Sequence, residues 1–178
     1  MASVIIDVST DGSINFFTDL PEAKQNIAGI GILIPANKYL DEVQIKKAFF
    51  NFTINATELL AILHALEKLN TSLSDAEKET AVVIIHSDSK LSVDGLTTHY
   101  KSWQNNLDVF GKWCKSNNLP VENQEIYKEI LAVKSNFYKV EFKHVKAHAD
   151  NELNNKVDSI AKEAVSDYYL QIKKRLGV

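Results

Sequence analysis

Apolar residues run in short blocks near the start of the chain and later fall at three- and four-residue spacing, and that change of period separates strands from helices. Val4 to Thr10 reads as a strand ending at Asp11-Gly12, and Ile27 to Ile34 as a second one stopped by Pro35. Phe49 to Ile54 is a third candidate, so the first three strands form an antiparallel meander. Leu59, Leu60, Ile62, Leu63, Leu66 and Leu69 then mark a helix from about Thr57 to Leu69 with one buried face. The continuous apolar run Ala81 to Ile85 fits a strand covered on both sides.

Beyond it, Ser89 to Leu96 reads as a short helix closed by Gly95, and His99 to Asn117 as a polar helix carrying Trp103, Phe110 and Trp113. Glu122 to Asn136 gives another helix, and Phe137 to Val145 alternates as a strand. A last helix, about 151–175, puts Val157, Ile160, Ala161, Ala164, Val165, Tyr168 and Ile172 on one face. The order βββαβαααβα predicts an α/β fold, a mixed sheet with helices packed on it.

The 178 residues suit one domain over 1–178. No window approaches ~18 uninterrupted apolar residues, so no membrane span is expected. The N-terminus lacks a signal or transit pattern, and the lone Cys114 rules out an internal disulfide or cysteine zinc site, so a cytoplasmic setting is expected. The net charge of −3 names no partner. Locally, Lys134, Lys139, Lys143 and Lys146 face only Glu141 before His148, a stretch that suits a polyanion or simply a solvated face.

The chemistry rests on acids, each with an ordinary alternative. Asp11 in Thr10-Asp11-Gly12-Ser13 fits a hairpin turn, and Glu58 a capping carboxylate three residues after Asn55. Asp88 stands at the carboxyl end of a central strand, where open α/β sheets bind ligands, or caps the next helix. Asp158 either joins these or pairs with Lys162 one turn later. Four acids at the ends of four elements that one sheet brings to one edge form a metal-site pattern, and oxygen donors favour Mg²⁺ or Mn²⁺ over zinc.

In this order the motifs resemble the type 1 ribonuclease H family: Thr10-Asp11-Gly12-Ser13, Thr57-Glu58-Leu59-Leu60-Ala61, His86-Ser87-Asp88-Ser89, His144-Val145-Lys146-Ala147-His148-Ala149 and Asn154-Asn155-Lys156-Val157-Asp158. The resemblance implies a five-stranded mixed sheet of order 3-2-1-4-5 flanked by helices. It also implies a stand-alone, monomeric enzyme that hydrolyses the RNA strand of RNA/DNA hybrids, leaving 5′-phosphate and 3′-hydroxyl ends. Asp11, Glu58, Asp88 and Asp158 would be the carboxylates of a two-metal site, with ions ~4 Å apart, and His148 an accessory histidine for proton handling or product release. Gly12, Ser13, Thr53, Asn55, Ser89, Lys90, Trp103, Lys146 and Asn154 would contact nucleic acid.

Several positions depart from the family pattern. Ile54-Asn55 stands where two asparagines are usual, Lys90 where a glutamine is common, and Ser13 to Asn26 replaces a glycine-rich loop. The helix expected from His99 has only Lys101, Lys112 and Lys115 against Asp108, so a weak grip on the duplex is expected. A DNA nuclease on the same fold, resolvase- or transposase-like, and the ribonuclease H module of a reverse-transcriptase system are the alternatives.

Overall fold

Strand β1 (Val4–Phe16) turns Ile6 and Val8 to one face, where they are fully buried, and this strand becomes the spine of the sheet. The computed structural model describes residues 3–146 and 152–177. β2 (Asn26–Ile34) pairs antiparallel with β1, and β3 (Val43–Phe50) antiparallel with β2. β4 (Ala81–Ser87) and β5 (Lys139–His144) continue in parallel on the other side, giving the order β3-β2-β1-β4-β5. This is the expected mixed sheet.

Helix α1 (Ile54–Ser72) covers one face. Its Leu59, Ile62, Leu66 and Leu69 meet Ile6, Val8, Ile30, Ile32, Val83 and Ile85 in the main core. Helix α2 (Asp75–Lys78) is a single turn before β4. The opposite face over β1 and β2 is closed by α6 (Glu152–Leu176), whose Val165 and Ile172 bury with Leu20 and Ile27. Among the described residues no helix is long and apolar enough to cross a membrane.

Several expected boundaries are corrected. β1 does not turn at Asp11-Gly12: its ladder with β2 continues to Phe16 opposite Asn26, and Gly12 is simply a strand residue under α1. The third strand is Val43–Phe50 rather than 49–54; its polar Gln44, Lys46 and Lys47 belong to a sheet edge, which masks the strand pattern. α1 begins at Ile54, and its cap is Thr53, whose Oγ1 accepts the Ala56 N–H at 3.3 Å.

The segment 89–117 departs most. Gly95 does not stop a helix. α3 (Lys90–Asp94) passes through a wide π-helical turn (Gly95–His99) into α4 (Tyr100–Asn105). Gly95 is needed for space, since a Cβ there would stand 2.5 Å from the Tyr127 hydroxyl. The chain then doubles back through isolated bridges, Leu107 to Trp113 and Cys114 to Pro120, so no helix spans 99–117. Trp103 and Trp113 meet across this fold-back, with ring centroids 6.5 Å apart. α5 (Gln124–Lys134) and β5 are shorter than expected, at 11 and 6 residues.

The seat of α6 is set by Gly29 and Gly31 on β2. A Cβ on Gly31 would fall 2.3 Å from the Val157 carbonyl oxygen, and one on Gly29 2.5 Å from that of Ala161. Helix backbone therefore rests directly on strand backbone. Gly31→Ala should force α6 away from β2 and destabilise the protein by ~1–3 kcal/mol, the usual range for overpacking. Chemical denaturation followed by circular dichroism checks this, and an unchanged midpoint would contradict the contact.

Candidate active site and metal centre

Thr10 and Ser87 are partners in the parallel pairing of β1 and β4, so Asp11 and Asp88 each lie one residue beyond adjacent positions. Glu58 enters from the first turns of α1, on its buried face, above Gly12. A Cβ on Gly12 would sit 3.0 Å from the Glu58 backbone nitrogen and 3.1 Å from its Cδ, so the glycine makes room for this carboxyl. One carboxylate oxygen from each of Asp11, Glu58 and Asp88 lies within 4.8 Å of the other two.

The turn carrying Asp88 is fixed from its neighbours. The Ser89 N–H donates to Ser87 Oγ at 3.1 Å, the Val145 N–H to the Ser87 carbonyl at 3.0 Å, and the His144 Nε2–H to the Asp88 carbonyl at 3.1 Å. Ser89, rather than Asp88, caps α3, accepting the Ser92 N–H at 3.3 Å. The Asp88 carboxylate is thus left to the cluster.

Burial first, then repulsion from Asp88, pushes the Asp11 carboxyl up to about 7. Burial, then Asp11 and Asp88, pushes Glu58 up to about 9. The Gly12 N–H, 2.8 Å from Asp11 Oδ1, opposes both shifts without cancelling them. Glu58 Oε2 is buried with no hydrogen-bond partner. Crowded oxygen donors, an orphaned buried oxygen and carboxyls that take up protons against their own repulsion all suit a hard divalent cation.

Asp158 stands apart from that three-membered group. Its Oδ2 accepts from Lys162 Nζ at 2.7 Å, the intrahelical pair that its spacing also allowed. It is still near enough to raise the Asp11 carboxyl, and Lys162 in turn feels Asp11. His148 lies outside the described residues.

The residues expected to touch nucleic acid divide. Thr53, Asn55 and Ser13 are at least partly accessible, close in sequence to Glu58 or Asp11, and Lys146 is exposed. Gly12 is covered by Glu58, and Ser89 is engaged as a cap. Lys90 is paired with Asp94. Trp103 is 9% exposed, packed edge-on against Tyr127, and Asn154, in the first turn of α6, is 5% exposed. The role of Gly12 was missed because Asp-Gly is also a turn signal, and the hold of His144 on Asp88 has no signal in spacing.

The ribonuclease H family model matches residues 7–166. A ribonuclease H of Clostridium botulinum (strain Hall) is 30% identical over 146 residues, covering 82% of this chain and 87% of the relative. That of Prosthecochloris aestuarii is 35% identical over 116 residues, 65% of this chain and 70% of the relative. The structure of LC11-RNase H1 in complex with an RNA/DNA hybrid superposes with a TM-score of 0.59 at 20% identity, covering 92% of this chain and 99% of that one.

The raised carboxyls carry a pH signature. Asp11 and Glu58 hold protons in the folded protein that their ordinary values of 3.8 and 4.5 release on unfolding. Stability of the metal-free protein is therefore fullest below those values and falls as pH rises toward 7 and 9. His64, lowered by burial, contributes with the opposite sign. In chelator, the melting temperature should drop between pH 5.5 and 8.5, Glu58→Gln should flatten that drop, and Mg²⁺ should stabilise more at the higher pH. A Glu58→Gln protein with the wild-type slope would refute the assignment.

Proposed function

This chain belongs to the ribonuclease H family of nucleases, and on that premise we propose that it hydrolyses the RNA strand of RNA/DNA hybrids, leaving 5′-phosphate and 3′-hydroxyl ends. The observation that carries the reading is the convergence of Asp11, Glu58 and Asp88 oxygens within 4.8 Å, with Glu58 Oε2 lacking a partner. The similar LC11-RNase H1 is found in complex with an RNA/DNA hybrid, which supports that choice of substrate. On the same reading the catalytic unit is a monomer with one domain over 1–178. The single cysteine, Cys114, is free and buried, in keeping with a cytoplasmic setting.

Asp11, Glu58 and Asp88, with Asp158 once it leaves Lys162, would hold two Mg²⁺ ions, for which Mn²⁺ can substitute. Such ions, when bound, supply an activated water and charge stabilisation at the leaving oxygen. The protein's own groups do the rest. Asp11, fixed in the strand between β2 and β4, orients the cluster. The α1 N-terminus beside Thr53 offers backbone donors and the positive end of the helix dipole to a phosphate. Lys162, adjacent to Asp158, keeps a positive charge at the site's edge. His148 would exchange a proton with the reacting phosphate or its product.

Asp11→Asn should fold normally and lower hybrid cleavage by ~10³-fold or more, since it removes several kcal/mol of transition-state charge stabilisation. The measurement is single-turnover cleavage of matched hybrid, duplex DNA, duplex RNA and single strands with Mg²⁺, Mn²⁺ or chelator. Undiminished cutting by the variant would sink the carboxylate assignment. Cleavage of duplex DNA with indifference to hybrid would favour a DNA nuclease on this fold.

A further inference from the structure

Asp11 and Glu58 are held in the cluster by whole elements, one inside β1 and the other inside α1. Asp88 is placed differently. β4 ends at Ser87 and α3 begins at Lys90 behind its cap Ser89, so this carboxylate stands on a short bend, half-buried where the other two are buried. The ladders of β4 with β1 and with β5 both stop at Ser87, one residue short of it. Three carboxyl groups within 4.8 Å repel one another once charged, and that force moves the least constrained of them first.

A restraint comes from β5. Its last residue, His144, is the register partner of Ser87 and reaches one residue past it, with Nε2 3.1 Å from the Asp88 carbonyl oxygen. A carbonyl only accepts, so Nε2 carries the proton. The next residue, Val145, donates its N–H to the Ser87 carbonyl at 3.0 Å, so consecutive residues of one segment hold consecutive carbonyls of the other. Beyond the bend, Ser89 is tied by its N–H to Ser87 Oγ at 3.1 Å and by its Oγ to the Ser92 N–H at 3.3 Å. The peptide group between these anchors is the one that the imidazole clamps. His144 is exposed, and an exposed hydrogen bond of this kind adds little to stability. What it can set is the place of a side chain.

We propose that His144 is a positioning residue for the metal centre: by bonding the Asp88 carbonyl it keeps the Asp88 carboxylate against Asp11 and Glu58, and so raises the affinity of the cluster for a divalent cation. This rests on the reading of those carboxylates as metal ligands. His144 need touch neither the ion nor the substrate, since it acts through the main chain of a ligand residue. Loss of an outer hydrogen bond to a metal ligand costs ~10–100-fold in metal affinity, and a bond to the ligand's backbone belongs at the lower end of that range.

The test reads metal binding without substrate: Mn²⁺ alone is titrated into the protein, and the free ion is counted by electron paramagnetic resonance. Wild type should bind Mn²⁺. His144→Phe, which keeps a ring without a donor, and His144→Ala should each weaken binding by ~10-fold while melting in chelator at the wild-type temperature. His144→Gln, whose amide nitrogen can take the place of Nε2, should restore most of the affinity. In an Asp88→Asn background His144→Phe should cause no further loss, because the histidine acts through that residue. The proposal is overturned if His144→Phe and His144→Ala bind Mn²⁺ as wild type does, or if the loss appears only in variants that melt early. It is also overturned if His144→Gln is as weak as His144→Phe, or if the loss adds in full to that of Asp88→Asn. A wild-type protein that binds no Mn²⁺ would instead refute the metal centre, and this role with it, so the two failures are told apart.

Discussion

Repulsion among three carboxylates held within 4.8 Å is the constraint to which the surrounding structure answers. Asp11 cannot withdraw, because its strand is paired on both sides, with Gly31 of β2 directly opposite it and with β4 through the preceding residue Thr10. Glu58 cannot withdraw either, since it lies on the buried face of a 19-residue helix whose other residues form the core. Relief must come from protons or from a cation. Protons serve at low pH, Asp11 giving its proton up toward about 7 and Glu58 toward about 9, and beyond that only a cation does, which makes stability and metal occupancy two sides of one electrostatic balance.

The second control lies on the opposite face of the sheet. Gly29 and Gly31 let the backbone of α6 touch that of β2, and this contact sets how far Asp158 stands from Asp11. Any side chain on β2 at those points would lift the helix and take Asp158 with it. With α6 seated, Lys162 follows Asp158 by one turn and acts as an internal counter-ion, its charge held near Asp11 as well. The packing of two glycines and the charge of the site are therefore one arrangement, although the residues are far apart in sequence.

Much of this was legible in the chain, and the exceptions have physical causes. Asp88 could be placed because a continuous apolar run has to be a covered strand, and the end of such a strand is where side chains emerge beside a neighbour. α6 was legible from a stripe that persists from Val157 to Ile172. Asp11-Gly12 was ambiguous: a turn and a close approach to a helix both require a residue without Cβ, and only the tertiary contact with Glu58 separates them. The stretch 99–117 misled because Trp103 and Trp113 suggest a shared helix face, whereas they meet through a fold-back that Gln124 stabilises by accepting the Trp113 N–H at 3.0 Å. The burial of Asn154 was equally invisible, since a polar residue at the start of a helix ordinarily faces solvent.

How phosphate is attracted to an acidic site follows from where the cations are. Near the cluster, Lys90 is neutralised by Asp94 and Lys162 by Asp158. The chain as a whole carries a net charge of −3, so no broad field draws a polyanion toward the carboxylates. Attraction at that end would then be local, from a bound cation and from the N-terminus of α1, which Thr53 caps. Without a cation the cluster would repel phosphate, and with one the same residues would attract it. On the proposed reading, metal loading and substrate engagement would be coupled by charge, with Asp158 exchanging Lys162 for the cation.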